Sequence, residues 1–309
     1  MDNLKTAIMC IAKMENMYIR DFVEYYRRLG FTHIFIYDNN DVDGEQFADV
    51  IDDYINDGYV TIVDVRGVPG EIMIDGNMFQ LQANIYTHCY HHYCKEYDWV
   101  MAVDIDEFLT FADENITIND FLSQQCFNDT DMIYVNWKCY GDSGKIYREP
   151  DIPIYERLTQ PIAFDNCTWK DAYSTIGYTQ LHYDNQTVKT IVRTNKNIQY
   201  VNSHVPVNCS ETKLITRTAS GNLEDVHPIE SVTKNVDFSC AYLRHYITKT
   251  LQEWMENKMQ RGYPDSNNKY YTLYPSAFFR HGNEWTIEKQ EFIDKFMYEN
   301  YVKKDGTKN

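Results

Sequence analysis

Residues 99–109 read W-V-M-A-V-D-I-D-E-F-L, an apolar run that ends in three carboxylates. The segment from Val100 to Val103 is typical of a strand buried on both faces, as in a parallel sheet covered by helices. Asp104, Asp106 and Glu107 follow at its carboxyl end. Because open α/β sheets bind ligands outside the carboxyl ends of their strands, this stretch predicts a binding site.

The two aspartates lie one residue apart on an extended segment, so their side chains point to the same side. Oxygen ligands placed in this way suit Mg²⁺ or Mn²⁺, which leaves its other coordination positions to water and substrate phosphates. Asp104 and Asp106 therefore predict a divalent cation site for a phosphorylated substrate. The alternative interpretation is a solvated strand end.

Strands and helices alternate before this stretch. Strands are predicted over Ala7 to Ala12, His33 to Tyr37 and Tyr59 to Val65, with a helix in each gap. A further helix, from about Met78 to Tyr97, leads into the Trp99 strand. This order predicts right-handed crossovers and a doubly wound, mostly parallel sheet that forms a nucleotide-binding half over residues 1–110. The sequence has neither a dinucleotide-binding glycine fingerprint nor a P-loop, so a metal is the predicted device for holding phosphates.

Beyond residue 110 the pattern loosens. We predict a smaller mixed sheet on an acceptor side over 111–250, with strands at Asp131 to Trp137 and Lys189 to Arg193. Helices are predicted over 251–309. The sequence contains no repeat and no linker, so the prediction is one domain over 1–309.

Composition limits the partners and the compartment. The chain has 309 residues, of which 43% are hydrophobic, and a net charge of −17. Nucleic acid is not an expected partner, because binding of a phosphate backbone needs a basic face. No apolar run approaches the roughly 20 residues that span a bilayer, and the first residues lack the features of a signal peptide. The expected compartment is the cytoplasm.

Six separated blocks of the sequence form a recognisable pattern. They are residues 7–40 with K-M-E-N and Y-D-N, the helix positions Gln82, Tyr86 and Cys89, W-V-M-A-V-D-I-D-E-F at 99–108, W-K-C-Y-G-D-S-G at 137–144, V-K-T-I-V-R at 188–193, and R-H-Y-I-T-K-T-L-Q-E-W-M-E-N-K-M-Q-R-G at 244–262. Together, in this order, they resemble glycosyltransferase family 92 and the related family 2. Two departures are Met14, where the family has the asparagine of a Lys-Asn-Glu loop, and Asp142, where it has the first serine of a Gly-Ser-Ser-Gly loop.

The resemblance implies a GT-A fold and transfer of a sugar from a nucleotide-diphosphate donor, with Mn²⁺ or Mg²⁺ on the Asp-x-Asp pair. Bacterial members resemble lipopolysaccharide or capsule glycosyltransferases, and animal members resemble β-galactosyltransferases that use UDP-galactose. The expected donor is therefore a UDP-hexose, with UDP-galactose favoured, and the expected outcome is inversion. The expected acceptor is an oligosaccharide or a lipid-linked glycan, which leaves peripheral membrane contact open.

The resemblance also implies roles for particular residues. Asp106 is the predicted direct metal ligand, and Asp104 binds the metal or the donor. His245 is the predicted further ligand, with His204 as the second choice. Either histidine has a hydrogen-bonded core position as its alternative. The predicted donor-binding residues are Ala12, Lys13, Glu15, Asp38, Asn39, Gln82, Asp104 and Lys249.

An inverting transfer needs a carboxylate that takes the proton of the acceptor hydroxyl. Asp142, in a glycine-flanked loop, is the first candidate, and Glu156 is the second. Trp137 and Trp169 are candidates for stacking on sugar rings, although a buried tryptophan is more often part of a core.

Two other functions compete with this interpretation. A metal-dependent nucleotidyltransferase shares the half-sheet and the acid pair, but it would need a glycine-rich loop that residues 10–16 lack. A non-catalytic carbohydrate-binding protein would bind sugar whether or not nucleotide and metal are present.

Overall fold

The computed structural model describes residues 4–74, 77–162, 183–224, 231–233, 235–261 and 275–303. They divide into two compact units. The first contains 4–138 and 183–245, and the second contains 139–162, 246–261 and 275–303. The single domain expected over 1–309 stays a prediction.

Thirteen strands lie in the described residues, and most of them belong to one sheet of the first unit. They are β1 (Thr6–Ala12), β2 (His33–Asp38), β3 (Val60–Asp64), β4 (Glu71–Ile74), β5 (Asn77–Gln80), β6 (Trp99–Ala102), β7 (Glu107–Phe111), β8 (Met132–Cys139), β9 (Val188–Arg193), β10 (Ile198–Tyr200), β11 (Pro206–Asn208), β12 (Thr216–Thr218) and β13 (Ala241–His245).

The nine-stranded sheet has the order β3-β2-β1-β6-β9-β8-β13-β7, and β12 pairs with β8. Strands β3, β2, β1 and β6 run parallel to one another. Strand β9 runs antiparallel to both β6 and β8, and β13 runs antiparallel to β7. The predicted α/β class is therefore confirmed, with a parallel half that carries the Asp-x-Asp stretch and a mixed half beside it.

Helices cover both faces of the parallel half. In β1, Ile8 and Cys10 pack with Phe22 of the first helix in one apolar cluster, whereas Met9 packs with Tyr86 of the third helix in another. This alternation follows from the two-residue period of a strand and makes the sheet doubly wound. The helices of the first unit are α1 (Ile19–Leu29), α2 (Ala48–Asn56), α3 (Leu81–His92), α4 (Ile118–Leu122) and Tyr183–Gln186, with 3₁₀ turns at Cys94–Glu96 and Gln125–Phe127.

The predicted helix from Met78 to Tyr97 begins too early. Residues 77–80 form β5, which pairs antiparallel with β4, and α3 begins only at Leu81. A short apolar run fits a helix or a strand equally well, and the pairing partner across the turn decides between them.

The second unit is mainly helical around a core of Trp254, Met255, Phe278 and Ile293. Its helices are Ile154–Arg157, Leu251–Glu253, the π-helical turn Trp254–Lys258, Met259–Arg261, Pro275–Arg280, Ile287–Met297 and the π-helical turn Tyr298–Val302. Within the described part of the chain, no helix has both the length and the apolar character needed to cross a membrane.

Candidate active site

Asp106 and His245 meet at the carboxyl end of the buried strand β6. Their register explains the contact, because β7 begins at Glu107 and pairs with β13 so that Glu107 lies opposite His245. Asp106 is 7% exposed and His245 is 6% exposed, and the distance from Asp106 Oδ1 to His245 Nε2 is 3.8 Å. The structure thus brings a carboxylate and an imidazole to the same point.

Lys189 enters the same region from β9. Its ammonium group is fully buried and lies 3.0 Å from Asp104 Oδ2 and 3.5 Å from Glu107 Oε2. It also donates a hydrogen bond to the Ser203 carbonyl at 3.2 Å. Burial lowers the pKa of Lys189, but Asp104 and Glu107 raise it above its usual value on balance. Lys189 therefore remains charged and neutralises the carboxylates around it.

Asp104 is held from several sides. Gln82 donates a hydrogen bond to Asp104 Oδ1 at 3.3 Å, while Lys189 binds the other oxygen. The Asp104 amide donates to Glu107 Oε2 at 2.8 Å. Glu107 is completely buried, and burial raises the pKa of its carboxyl well above the usual range. Because the Asp104 side chain is still 32% exposed, this bonding orients it and leaves part of it open to a ligand.

Trp137 lies between the two candidate histidines. Its ring centroid is 4.1 Å from that of His245 and 5.1 Å from that of His204. Burial, helped by the charge of Lys189, lowers the pKa of His204 to about 3, so this imidazole is neutral. Its Nδ1–H donates to the Val188 carbonyl at 3.0 Å, which is the hydrogen-bonded core position considered above.

The predicted nucleoside residues come together where β1 and β2 end. Ala12 lies opposite Asp38, and the Asn39 amide donates to the Ala12 carbonyl at 2.9 Å. Burial raises the pKa of Asp38. Glu15 is buried nearby in sequence at 3% exposure, and Lys13 forms an ion pair at 2.8 Å with the exposed Asp41.

Two residues of this region were missed at the sequence level. The sequence pattern places Lys189 only within a strand. A charged residue inside the apolar run Val188–Val192 is nevertheless a signal, since lysine is almost never buried without a partner. Asn40 is 1% exposed, and its side-chain oxygen accepts from the Met14 amide at 2.7 Å. Its buried Nδ2 lies near the Asp38 carboxyl but has no hydrogen bond of standard geometry among the described residues.

Asp142, Glu156 and Lys249 belong to the second unit. The Asp142 carboxylate accepts from the Gly144 amide at 2.9 Å and lies 2.5 Å from the buried ammonium of Lys289. Glu156 is exposed on a short helix, α5 (Ile154–Arg157), and Lys249 is buried with a φ of 59°. Their predicted roles stay predictions, as does that of Trp169, which lies outside the described residues.

A divalent cation fits the first-unit residues only with ligands from elsewhere. No group of three or more His, Cys, Asp and Glu side chains that could hold a metal occurs in the described ranges. Asp106 and His245 supply one oxygen and one nitrogen. This set is sufficient for an ion that takes its remaining ligands from water and substrate phosphates.

Comparison with known proteins identifies the family. The model of glycosyltransferase family 92 matches residues 5–280. The chain belongs to glycosyltransferase family 92. This membership, together with the sheet order, confirms the predicted GT-A fold. A search among curated proteins gives no match for this family 92 chain.

Several solved structures are similar to this family 92 chain. TarS 1–349 of S. aureus is 10% identical with a TM-score of 0.39, covering 97% of this chain and 73% of that one. TarS 1–349 in complex with UDP is 12% identical with a TM-score of 0.35, over 62% and 47% of the two chains. LgtC in complex with donor and acceptor sugar analogs is 12% identical with a TM-score of 0.34, over 92% and 99%. The chain spans only 28% of a longer TarS structure. At these TM-scores and identities, the solved structures do not indicate which residues of this chain form its site.

Proposed function

We propose that this glycosyltransferase transfers a hexose, with inversion, from a UDP-hexose to a hydroxyl group of a glycan acceptor. UDP-galactose is the favoured donor, and synthesis of surface polysaccharide or a glycoconjugate is the proposed role. The observation that carries the proposal is the 3.8 Å approach of Asp106 to His245 beside the oriented Asp104. The cytoplasmic location and the lipid-linked acceptor stay predictions.

The proposed metal ligands, one carboxylate oxygen and one imidazole nitrogen, favour Mn²⁺ over Mg²⁺. Mg²⁺ is bound almost entirely through oxygen, whereas an imidazole nitrogen suits a transition-metal ion. Asp106 and His245 would hold this ion. When bound, it would act as a Lewis acid that stabilises the diphosphate leaving group.

The remaining residues of the first unit would bind the nucleoside and the sugar. The exposed part of Asp104 can accept hydrogen bonds from hydroxyl groups, and Lys189 and Gln82 keep it in one orientation. The buried Nδ2 of Asn40 is a donor that suits a carbonyl of the base. The indole N–H of Trp137 is also buried, and it has no acceptor among the described residues, which supports a ligand contact beside His245.

Asp142 remains the proposed base, with Glu156 as the alternative. The buried ammonium of Lys289 lies 2.5 Å from Asp142 Oδ2 and holds this carboxylate in place. Glu156 is exposed, so it would have to act without such support.

A thermal-shift panel tests the donor site. UDP, GDP, CDP and ADP are each added with Mn²⁺ or with EDTA to the wild type, to Asp106→Asn, and to Asp113→Asn, an exposed control. We expect UDP with Mn²⁺ to stabilise the wild type and the control by roughly 2.7 kcal/mol at about 100 times its Kd. EDTA or Asp106→Asn should abolish the shift.

Oligosaccharides, added to the same proteins without metal, separate the competing functions. If no nucleotide shifts the melting temperature while oligosaccharides do so without metal, the protein is a carbohydrate-binding protein and the proposal fails. A shift that persists fully in Asp106→Asn would remove Asp106 from the metal site.

A further inference from the structure

An open groove with a volume of about 980 Å³ lies in the second unit. Three segments of the chain line it: residues Ile146 to Tyr147, the helical segment from Gln252 to Gln260, and the segment from Glu288 to Tyr301. The described residues that line it include none of the predicted donor, metal or base residues. Its volume is at the upper end of the range for small-molecule sites, so it has room for several sugar rings.

Aromatic rings form a row along this groove. Tyr147 is 62% exposed, and its ring stands edge-on to that of Phe292 at 5.5 Å. Phe292 in turn stacks with Phe296 at 6.2 Å, and Tyr301 adds a ring that is 43% exposed. Exposed tyrosines offer an apolar face and a polar tip, which matches a sugar ring with its C–H face and its hydroxyl edge.

The polar groups of the groove are mostly hydrogen-bond acceptors. Four glutamates line it against one lysine, Lys295. Gln260 uses its amide N–H groups within the unit, on the Met255 carbonyl and the Tyr301 hydroxyl, so its carbonyl is the part that can meet a ligand. A ligand for this surface must donate hydrogen bonds, as sugar hydroxyls do. The excess of carboxylates repels phosphate and acidic sugars. The glutamates are Glu256, Glu288, Glu291 and Glu299.

Both π-helical turns of the described residues border this groove. Trp254–Lys258 contributes Glu256, and Tyr298–Val302 contributes Glu299, Asn300 and Tyr301. π-helical turns are rare, and where they occur they are frequently found at functional sites. Two of them on one groove are an independent sign that this surface binds a ligand.

We propose that the groove binds a neutral oligosaccharide, a chain of uncharged hexoses, and serves as a subsite for the glycan acceptor. The acceptor role rests on the proposed function, whereas the binding itself does not. A basic peptide fits less well, because the row of rings from Tyr147, Phe292 and Phe296 matches the C–H face of a hexose. The four glutamates of the groove are exposed. These exposed carboxylates are also screened by salt, which weakens their attraction for a cation but leaves their oxygens available to hydroxyl groups.

Calorimetric titration in the absence of nucleotide tests the proposal. The probes are β-1,4-linked galactotetraose, cellotetraose and a nonalysine peptide. The variants are Tyr147→Ala and Tyr301→Ala, and the matched control is Tyr298→Ala, which removes a 58% exposed tyrosine of the same π-helical turn that does not line the groove. We expect a tetrasaccharide to bind the wild type and the control equally. Each groove variant should weaken its binding by about tenfold.

Three results would overturn the proposal. They are the absence of binding by both tetrasaccharides, equal binding by the control and the groove variants, and tyrosine-dependent binding of the peptide alone, which would assign the groove to a basic protein partner. A parallel measurement of the UDP and Mn²⁺ thermal shift keeps the two proposals apart. Tetrasaccharide binding without a UDP shift would contradict the proposed donor site and support the groove. A UDP shift without tetrasaccharide binding would support the donor site and contradict the groove.

Discussion

Lys189 is the residue on which the carboxylate cluster depends. It is fully buried between Asp104 and Glu107, and the two carboxylates would face each other without a counter-charge if it were removed. Breaking a buried pair costs more than the pair contributes, because the remaining charge stays desolvated. The cluster is thus a single electrostatic unit rather than a set of separate ligands.

Lys189→Met should therefore destabilise the protein strongly. We expect the free energy of unfolding, measured in urea, to fall by about 3–5 kcal/mol. The control is Lys196→Met, which removes a 35% exposed partner of Asp131 at 3.0 Å. That partly exposed pair should contribute no more than about 1 kcal/mol. Equal losses in the two variants would show that Lys189 has no special role.

The choice between His245 and His204 can also be tested at single residues. Manganese affinity, measured in the presence of UDP from the electron paramagnetic resonance of free Mn²⁺, should fall by about tenfold or more in His245→Ala. His204→Ala should leave it close to the wild-type value, because the His204 ring is bound to the Val188 carbonyl. The opposite pattern would make His204 the ligand.

At the scale of elements, a buried ion pair joins two helices of the second unit. Arg157 of α5 binds Glu253 through both terminal guanidinium nitrogens, Nη1 and Nη2, and both side chains are 1% exposed. Glu253 also accepts from the Thr250 hydroxyl at 2.6 Å and so caps the helix that begins at Leu251. One carboxylate therefore sets both the helix start and its contact with α5.

Arg157→Met should loosen this helix start. Hydrogen exchange of the amides of Leu251–Glu253 should become faster, since the uncompensated Glu253 costs about 3–5 kcal/mol. Arg148→Met is the control, because Arg148 Nε lies 3.9 Å from the same carboxylate and its side chain is 23% exposed. Exchange rates that change equally in the two variants would contradict the assignment.

At the scale of the whole molecule, each unit contains a buried neutral histidine. Burial lowers the pKa of His204 to about 3 in the first unit and that of His281 to about 4 in the second. In the unfolded chain both imidazoles titrate near their usual pKa of about 6.5. Between these values the unfolded state binds more protons than the native state, so stability falls as the pH falls.

Acid should therefore destabilise the protein below about pH 6.5. The contribution of His281 is complete above that pH and is lost progressively toward pH 4. Between pH 6.5 and pH 4.5 the free energy of unfolding, measured in urea, should fall in the wild type and in His281→Gln. We expect the fall in His281→Gln to be about 2–3 kcal/mol smaller. His92→Gln, at an exposed position, should follow the wild type. A wild-type-like decline in His281→Gln would refute the assignment.

The sequence by itself determined the alternation of strands and helices, the parallel half of the sheet with helices on both faces, and the placement of Asp104 and Asp106 at a strand end. These features follow from periods of two and 3.6 residues and from local turn residues, which are short-range properties of the chain. The family was also predictable, because six blocks in the same order are specific together.

Only the tertiary structure decided how the site is completed. The β7–β13 pairing brings His245 to Asp106, and the insertion of β9 between β6 and β8 brings Lys189 to Asp104. Likewise, residues 77–80 form a strand because β4 pairs with them. Strand pairing between distant segments is set by the packing of the whole sheet. The role of a buried charge depends on the opposite charge next to it, and only the folded structure shows that partner.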